Sequence, residues 1–351
     1  MKKNLLLLFS VAIILLLLSE FFIRVIFPQS LQRYWVVQEP SRGLIVNKKN
    51  HIYKNHRFKN YKATYKFGKF GNRITLHDLK LSGKPRVLVL GDSFTFGWLI
   101  KDEDTYVHKL QMDNLNYEFI NPSVGSWGTS AYTTFTELYC DEIKPKKILI
   151  FLNTDDPYRG FMNSYYKLIN GELTISKVEL TPINKELSKF DKNIPFYRIL
   201  KKNSHLFILI RNVVYDLLNP PVLNEWSIKH YYPHPSFIKN YKHSKELFEY
   251  NKKIFLRLND LSKKCGSKLY IFYTGWANIE KMNANNPNKF FFQNIENFFK
   301  KNNIYYFNNT KKMTQLYKNP TIYIIKEDYH PNKKGADLIY NLVSDEIKNI
   351  L

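Results

Sequence analysis

The stretch Arg86-Val-Leu-Val-Leu-Gly-Asp-Ser-Phe-Thr-Phe-Gly97 joins a short apolar run to a turn. Val87 to Leu90 are consecutive apolar residues, which predicts a strand that is buried on both faces. Gly91-Asp92-Ser93 predicts a sharp turn, and a helical pattern follows it. Ser93 is therefore expected at the carboxyl end of a parallel strand, close to a helix amino terminus. Open parallel sheets carry their active sites at such positions, and backbone N–H groups there can stabilise a developing oxyanion.

Strands and helices alternate along the rest of the chain. The apolar runs predict further buried strands at residues 117–120, 147–152, 268–273 and 304–307. Helical patterns lie around them at residues 105–115, 131–141, 244–265 and 289–302, and a last one runs from about 334 to 351 with Asn332 as its cap. This alternation favours an α/β domain, in which helices cover both faces of a parallel sheet.

A second informative segment, Glu327-Asp328-Tyr329-His330-Pro331-Asn332, lies near the carboxyl end. A serine hydroxyl is a poor nucleophile at neutral pH and needs a base within hydrogen-bond reach. His330 is the candidate base, and the proline after it favours an extended backbone that holds the ring. Gly91-Asp92-Ser93 and this acid-histidine-Pro-Asn segment together resemble the first and last motifs of the SGNH/GDSL hydrolase family.

The resemblance implies a fold and a catalytic set. The fold is a three-layer α/β/α sandwich with a five-stranded parallel, flavodoxin-like sheet. Ser93 would be the nucleophile and His330 the base. The acid that orients His330 is Asp328 because aspartate is the usual residue, while Glu327 stays the alternative because it has the commoner spacing of three residues before the histidine. The resemblance implies no cofactor, and the sequence has no spacing typical of metal ligands.

The resemblance also implies donors for the oxyanion. The first is the backbone N–H of Ser93. The segment that matches the second family motif offers Gly125 and Ser126. The third motif, normally Gly-x-Asn-Asp, lacks its glycine here, so that Asn153 is the candidate and Thr154 the alternative.

The amino terminus predicts a membrane anchor. Lys2 and Lys3 precede an apolar run over residues 5–18 that resumes up to Phe27, which is long enough to span a bilayer. A cleaved signal peptide is the alternative, but no small-x-small site follows the apolar run. An uncleaved signal anchor is therefore preferred. The two lysines place the amino terminus in the cytoplasm and the rest of the chain on the outer side of the cell membrane, with a single pass.

These patterns divide the chain. Residues 1–27 form the cytoplasmic tip and the transmembrane helix, and residues 28–84 a juxtamembrane strand-and-loop region with a strand at 63–67. Residues 85–351 form the hydrolase-like domain, with an insertion at about 157–237 that contains an apolar helix at 206–218. The insertion is interpreted as a lid or substrate wall, with a subdomain packed on the sheet edge as the alternative.

The net charge limits the kinds of binding partner, and the two cysteines raise the question of a disulfide. The formal net charge is +23. The lysines are scattered and no nucleic-acid motif appears, so nucleic acid is not expected. Attraction to acidic envelope polymers competes with the codon usage of an AT-rich genome as the source of this charge. Cys140 and Cys265 are predicted to be buried free thiols, with a disulfide as the alternative.

The resulting functional hypothesis is a serine esterase that removes O-acyl groups, such as acetyl, from a cell-surface glycan or a small ester. Two alternatives stay open. The first is an O-acyltransferase that acts on envelope polysaccharide with the same catalytic residues. The second is a non-catalytic glycan-binding or assembly protein on the same scaffold, which the altered third motif suggests.

Overall fold

The computed structural model describes residues 2–29, 31, 35–58, 61–74, 83–163, 165–176, 196–218, 242–275, 279, 282, 286–316 and 330–351. Its first element is a long apolar helix, α1 (Lys2–Ile26). The stretch Lys3–Ile26 is long and apolar enough to cross a membrane, and secretory signal sequences share these properties. Two antiparallel pairs follow: β1 (Val36–Gln38) with β2 (Ile45–Asn47), and β3 (His51–Phe58) with β4 (Tyr61–Phe67).

The α/β domain follows these pairs. In chain order its elements are β5 (Arg86–Leu90), α2 (Ser93–Phe96), α3 (Tyr106–Asp113), β6 (Glu118–Ile120), α4 (Thr129–Ile143), β7 (Lys147–Leu152), α5 (Asp156–Met162), β8 (Tyr166–Ile169), β9 (Glu172–Ile175), α6 (Tyr197–Asn203), α7 (His205–Leu218), α8 (Lys242–Lys264), β10 (Lys268–Tyr273), α9 (Pro287–Lys301), β11 (Tyr305–Phe307), α10 (Thr310–Leu316) and α11 (Lys333–Ile350). A single 3₁₀ turn, Asp102–Asp104, precedes α3.

The central sheet of the described chain has five parallel strands in the order β11-β10-β7-β5-β6. Helices α4, α5, α8 and α9 pack together on one face, and α3 packs with α11 on the other. The three-layer α/β/α fold predicted from the sequence is therefore confirmed. Residues 87–90 of β5 are fully buried, as expected for a strand that is covered on both faces.

The strand order defines where a site can form. The chain enters the sheet at β5, adds β6 on one side, and then crosses to add β7 on the other. The loops after β5 and β7 therefore separate at their carboxyl ends and leave a crevice, which is the topological switch point of this strand order. Ser93 follows β5 and Asn153 follows β7, so both residues lie at this crevice.

The two cysteines join helices on the same face of the sheet. Cys140, in α4, forms a disulfide with Cys265, which directly follows α8, and their Cα atoms are 6.1 Å apart. The prediction of two free thiols was wrong. The packing of α4 on α8 brings together two positions that are 125 residues apart, and nothing in the local sequence reports that packing.

Candidate active site

The turn that carries Ser93, between β5 and α2, is formed by local capping. Asp92 is the N-cap of α2, and its carboxylate accepts a hydrogen bond of 2.9 Å from the Phe94 N–H. Gly97 ends the helix at φ 78°, a left-handed conformation that favours glycine. Ser93 is the first helical residue, so its N–H has no partner within the helix. The residue is buried, with 9% of its surface exposed.

His330 reaches Ser93 from the other end of the chain. The His330 Nε2 atom lies 2.7 Å from the Ser93 Oγ atom, across 237 residues of sequence. This separation is within the range in which a serine hydroxyl can pass its proton to an imidazole. The aromatic rings of Phe94 and Trp98 lie beside the imidazole, with centroids 5.2 and 6.0 Å away.

The chain after His330 is held by the last helix. The Asn332 side chain caps α11 by accepting a hydrogen bond of 3.0 Å from the Gly335 N–H, and the predicted cap is confirmed. The two candidate acids, Asp328 and Glu327, lie outside the described residues. The choice between them stays a prediction.

Asn153 lies next to the turn that carries Ser93. Its Nδ2 donates to the Asp92 Oδ2 at 3.1 Å, and its Oδ1 accepts from the Thr154 N–H at 2.7 Å. These two bonds fix the orientation of the amide. An amide nitrogen carries two hydrogens, and the bond to Asp92 uses one of them. The alternative donor, Thr154, has its hydroxyl paired with the Tyr273 hydroxyl at 2.9 Å, and its N–H is used by Asn153.

The second motif brings a glycine against the serine. A Cβ atom at Gly125 would lie 3.7 Å from the Ser93 Cβ, which is ordinary van der Waals contact. Gly125 thus lies beside the Ser93 side chain. Ser126 follows it at φ 66°, a conformation that favours glycine in most proteins. Both residues are exposed, so their N–H groups can face a ligand.

A charged network supports the turn from behind. Arg159, in α5, donates to the Asp92 Oδ2 at 2.7 Å, and it lies 3.5 Å from Asp156 and 3.6 Å from Asp155. Arg159 thus joins Asp92 to Asp155 and Asp156 in one charged cluster, in which Asp156 is completely buried.

Two buried carboxylates, Asp92 and Asp156, share one guanidinium in this network. The Asp156 Oδ2 also accepts from the Tyr132 hydroxyl at 2.7 Å and from the Asn153 N–H at 2.6 Å. Burial, and after it repulsion by Asp92, raise the pKa of Asp156 well above that of an ordinary aspartate.

The raised pKa of Asp156 predicts a pH-dependent stability. The folded state holds the Asp156 proton to a higher pH than the unfolded state, so this residue makes folding less favourable as pH rises from about 4. The variant Asp156→Asn has no such titration and keeps an oxygen for both donors. The free energy of unfolding of the variant minus that of the wild type should therefore increase between pH 4 and neutrality, as measured by urea titration. Asp141→Asn, which alters an exposed carboxylate in α4, is the control, and a difference that does not change with pH would contradict this account.

Sequence reasoning missed Arg73, which supports the other side of the turn. Its side chain is fully buried and pairs with Asp102 at 2.6 Å. Its remaining N–H groups donate to three backbone carbonyls directly after α2, those of Phe96, Gly97 and Ile100, each at 2.6 Å. No local pattern marks this arginine, because the carbonyls that it binds belong to a loop some 20 residues later.

The next question is whether side chains near this site could bind a metal ion. In the part of the chain that the structure describes, no three His, Cys, Asp or Glu side chains are grouped so that they could hold a metal ion. The crevice instead brings together a serine, a histidine and several N–H donors. That set of groups suits nucleophilic attack on a carbonyl followed by stabilisation of an oxyanion.

Comparisons with known proteins identify similar solved structures. No family model and no curated protein matches the sequence. The psychrotrophic esterase EstA from Pseudoalteromonas sp. is 14% identical, with a TM-score of 0.44 over 76% of this chain and 98% of that one. A lipolytic protein of the G-D-S-L family from Veillonella parvula is 10% identical, with a TM-score of 0.42 over 75% and 98%. An acetyl xylan esterase, AlAXEase, is 12% identical, with a TM-score of 0.38 over 75% and 99%.

Proposed function

We propose that this protein is a membrane-anchored serine esterase of the SGNH type that removes small O-acyl groups, acetyl above all, from a cell-surface glycan. The observation that carries the proposal is the 2.7 Å separation of the Ser93 Oγ and the His330 Nε2 at the switch point of the sheet. A serine at a strand end is common. A serine that shares a crevice with a histidine and with several N–H donors is a candidate nucleophile.

The proposed reaction begins with attack by the Ser93 Oγ on the ester carbonyl carbon while its proton passes to the His330 Nε2. The carbonyl oxygen becomes an oxyanion that accepts hydrogen bonds from the Ser93 N–H, from the Gly125 N–H with Ser126 as the alternative, and from the Asn153 Nδ2. The bond between the carbonyl carbon and the alcohol oxygen then breaks, and His330 protonates the departing glycan hydroxyl. An acyl group remains on Ser93.

Water completes the cycle. His330 takes a proton from the water as its oxygen attacks the acyl carbon, and the second oxyanion uses the same donors. The bond to the Ser93 Oγ breaks, the proton returns to that oxygen, and a carboxylic acid leaves. In this scheme Asp328, with Glu327 as the alternative, accepts a hydrogen bond from the other ring nitrogen of His330 and stabilises the imidazolium.

Several features support the location and the substrate. The apolar helix α1 follows two lysines, which favours an anchor whose amino terminus is cytoplasmic. The Cys140–Cys265 disulfide is typical of chains that fold in an oxidising compartment, outside the cytoplasm. The net charge of +23 favours association with an acidic polymer. The small exposed fraction of Ser93, and the Trp98 ring beside His330, suit a small acyl group.

Acyl release from an O-acetylated polysaccharide tests the proposal. The detergent-solubilised full chain should release free acetate without an added acceptor, and a serine-reactive phosphonate should label Ser93. Acetate that appears only on an added deacetylated glycan would instead identify the acyltransferase. A protein that binds the polysaccharide but neither releases acetate nor reacts with the phosphonate would be the non-catalytic alternative.

A further inference from the structure

The helix α7 is fixed to the end of α1. The Glu20 carboxylate caps α7: it accepts from the N–H groups of His205 at 3.0 Å and Leu206 at 2.9 Å, and from the Ser204 hydroxyl at 2.8 Å. Arg24, one turn further along α1, donates to the Asn203 carbonyl at 2.7 Å. The start of α7 therefore has a defined position along the anchor helix.

That position corresponds to a membrane interface. A bilayer core of roughly 30 Å takes about 20 helical residues. A span that begins at Leu5 then ends near Arg24, and Glu20 lies four residues, or about 6 Å, inside that boundary. Amphipathic helices that lie on membranes are buried by about 5–10 Å at the same boundary. The start of α7 is thus held at the depth where such helices are found.

The free face of α7 is apolar. Ile210, Val213, Val214 and Leu217 follow the i, i+3, i+4, i+7 spacing of a single helical stripe, and each is between 46% and 74% exposed. His205 and Ile208 project from the opposite side of the helix and are buried. One face of α7 thus packs on the protein, while the other presents large aliphatic side chains.

The preceding helix continues this surface. Phe196, Ile199 and Leu200, at the start of α6, are 72%, 58% and 39% exposed. The sequence of α6, Tyr-Arg-Ile-Leu-Lys-Lys-Asn, also contains Arg198 and Lys202, besides Lys201, which is buried with its ammonium group over the Tyr197 ring. Basic residues next to exposed apolar side chains are typical of helices that bind a surface of anionic lipids.

We propose that the α6–α7 hairpin, residues 196–218, lies in the membrane interface on the outer side of the bilayer that α1 crosses, with its apolar stripe in contact with lipid. The proposal rests on the anchor of the proposed function. It follows from the bonds that fix the start of α7 to α1, from the depth that Glu20 sets, and from the exposed apolar stripe with the basic residues of α6 beside it. The catalytic domain is then held to the membrane at two places, which fixes its orientation relative to the membrane surface.

Nitroxide depth measurements on the full chain test the hairpin. Single labels at Val213→Cys and Leu217→Cys would be read in vesicles of phosphatidylethanolamine and phosphatidylglycerol, since the two native cysteines are joined to each other. Collisions with oxygen should exceed those with a water-soluble nickel chelate several-fold at both labels. At Lys301→Cys, an exposed position of the catalytic domain, collisions with the nickel chelate should exceed those with oxygen.

A fourth label, at Leu15→Cys in α1, separates the two proposals. Labels at 213 and 217 that collide mainly with the nickel chelate, together with a label at 15 that collides mainly with oxygen, would overturn the lipid contact of the hairpin and leave the anchor intact. Water-like values at all three would refute the anchor and the hairpin with it. Spin–spin broadening between labels on different chains would overturn the lipid contact in favour of a second copy of the protein on the stripe.

Discussion

Replacing Ser93 with alanine is expected to lower kcat/KM for an activated acetate ester by about 10³- to 10⁶-fold. The variant loses the oxygen that forms the acyl-enzyme, and the remaining N–H donors can only assist direct attack by water. Initial rates with the purified full chain measure the loss. The fold should survive, because the substitution removes one oxygen atom and keeps the Cβ atom in place.

Two control variants accompany Ser93→Ala: the same substitution at an exposed serine, and a double variant that also lacks His330. Ser41→Ala removes an exposed serine hydroxyl in the β1–β2 turn and should leave the rate unchanged. In the Ser93→Ala background, His330→Ala should cost little more, because a nucleophile and its base act as one unit. A variant that keeps more than about a tenth of the wild-type rate would show that the serine is not the nucleophile.

Replacing Asn153 with alanine should lower kcat by about 10²- to 10³-fold with little change in KM. Its amide nitrogen is oriented by Asp92, and its remaining N–H would be most valuable when the carbonyl oxygen becomes an anion. Steady-state kinetics on the same acetate ester separate kcat from KM. An effect confined to KM would mean that Asn153 binds the substrate without stabilising the oxyanion.

Thr154→Val is the matched control for Asn153→Ala. It removes the hydroxyl that pairs with Tyr273 and leaves the Thr154 N–H in place. The loss of one buried hydrogen bond should lower the free energy of unfolding by about 1 kcal/mol, while kcat stays close to that of the wild type. A large fall in kcat for this variant, with normal kcat for Asn153→Ala, would reverse the assignment of the two residues.

The sequence predicted the sheet well because parallel strands that are buried on both faces are written as continuous apolar runs. The strands predicted at 147–152 and 268–273 have the bounds that the structure gives to β7 and β10. Helix ends differ by at most two residues: the prediction of 131–141, for example, became Thr129–Ile143. Its capping residue, Gly128, makes no side-chain hydrogen bond that a pattern could reveal.

The site was harder to predict, since its parts come from distant loops. The pairing of Ser93 with His330 rested on resemblance to a family, because no local rule links residues that are 237 positions apart. The choice of Asn153 over Thr154 as a donor came from the same resemblance and stays a prediction. The bond between Cys140 and Cys265 needed the packing of α4 on α8.

The position of Arg73 has a consequence for the unit that folds. A fragment that began at residue 85, where the α/β pattern starts, would leave the carbonyls of Phe96, Gly97 and Ile100 without the donor that binds them in the full chain. Buried carbonyls that lose their partner destabilise the backbone that carries them, and this backbone directly follows Ser93 along the chain. A fragment that keeps this donor must therefore begin before Arg73, so that part of the segment ahead of the sheet belongs to the scaffold of the candidate site.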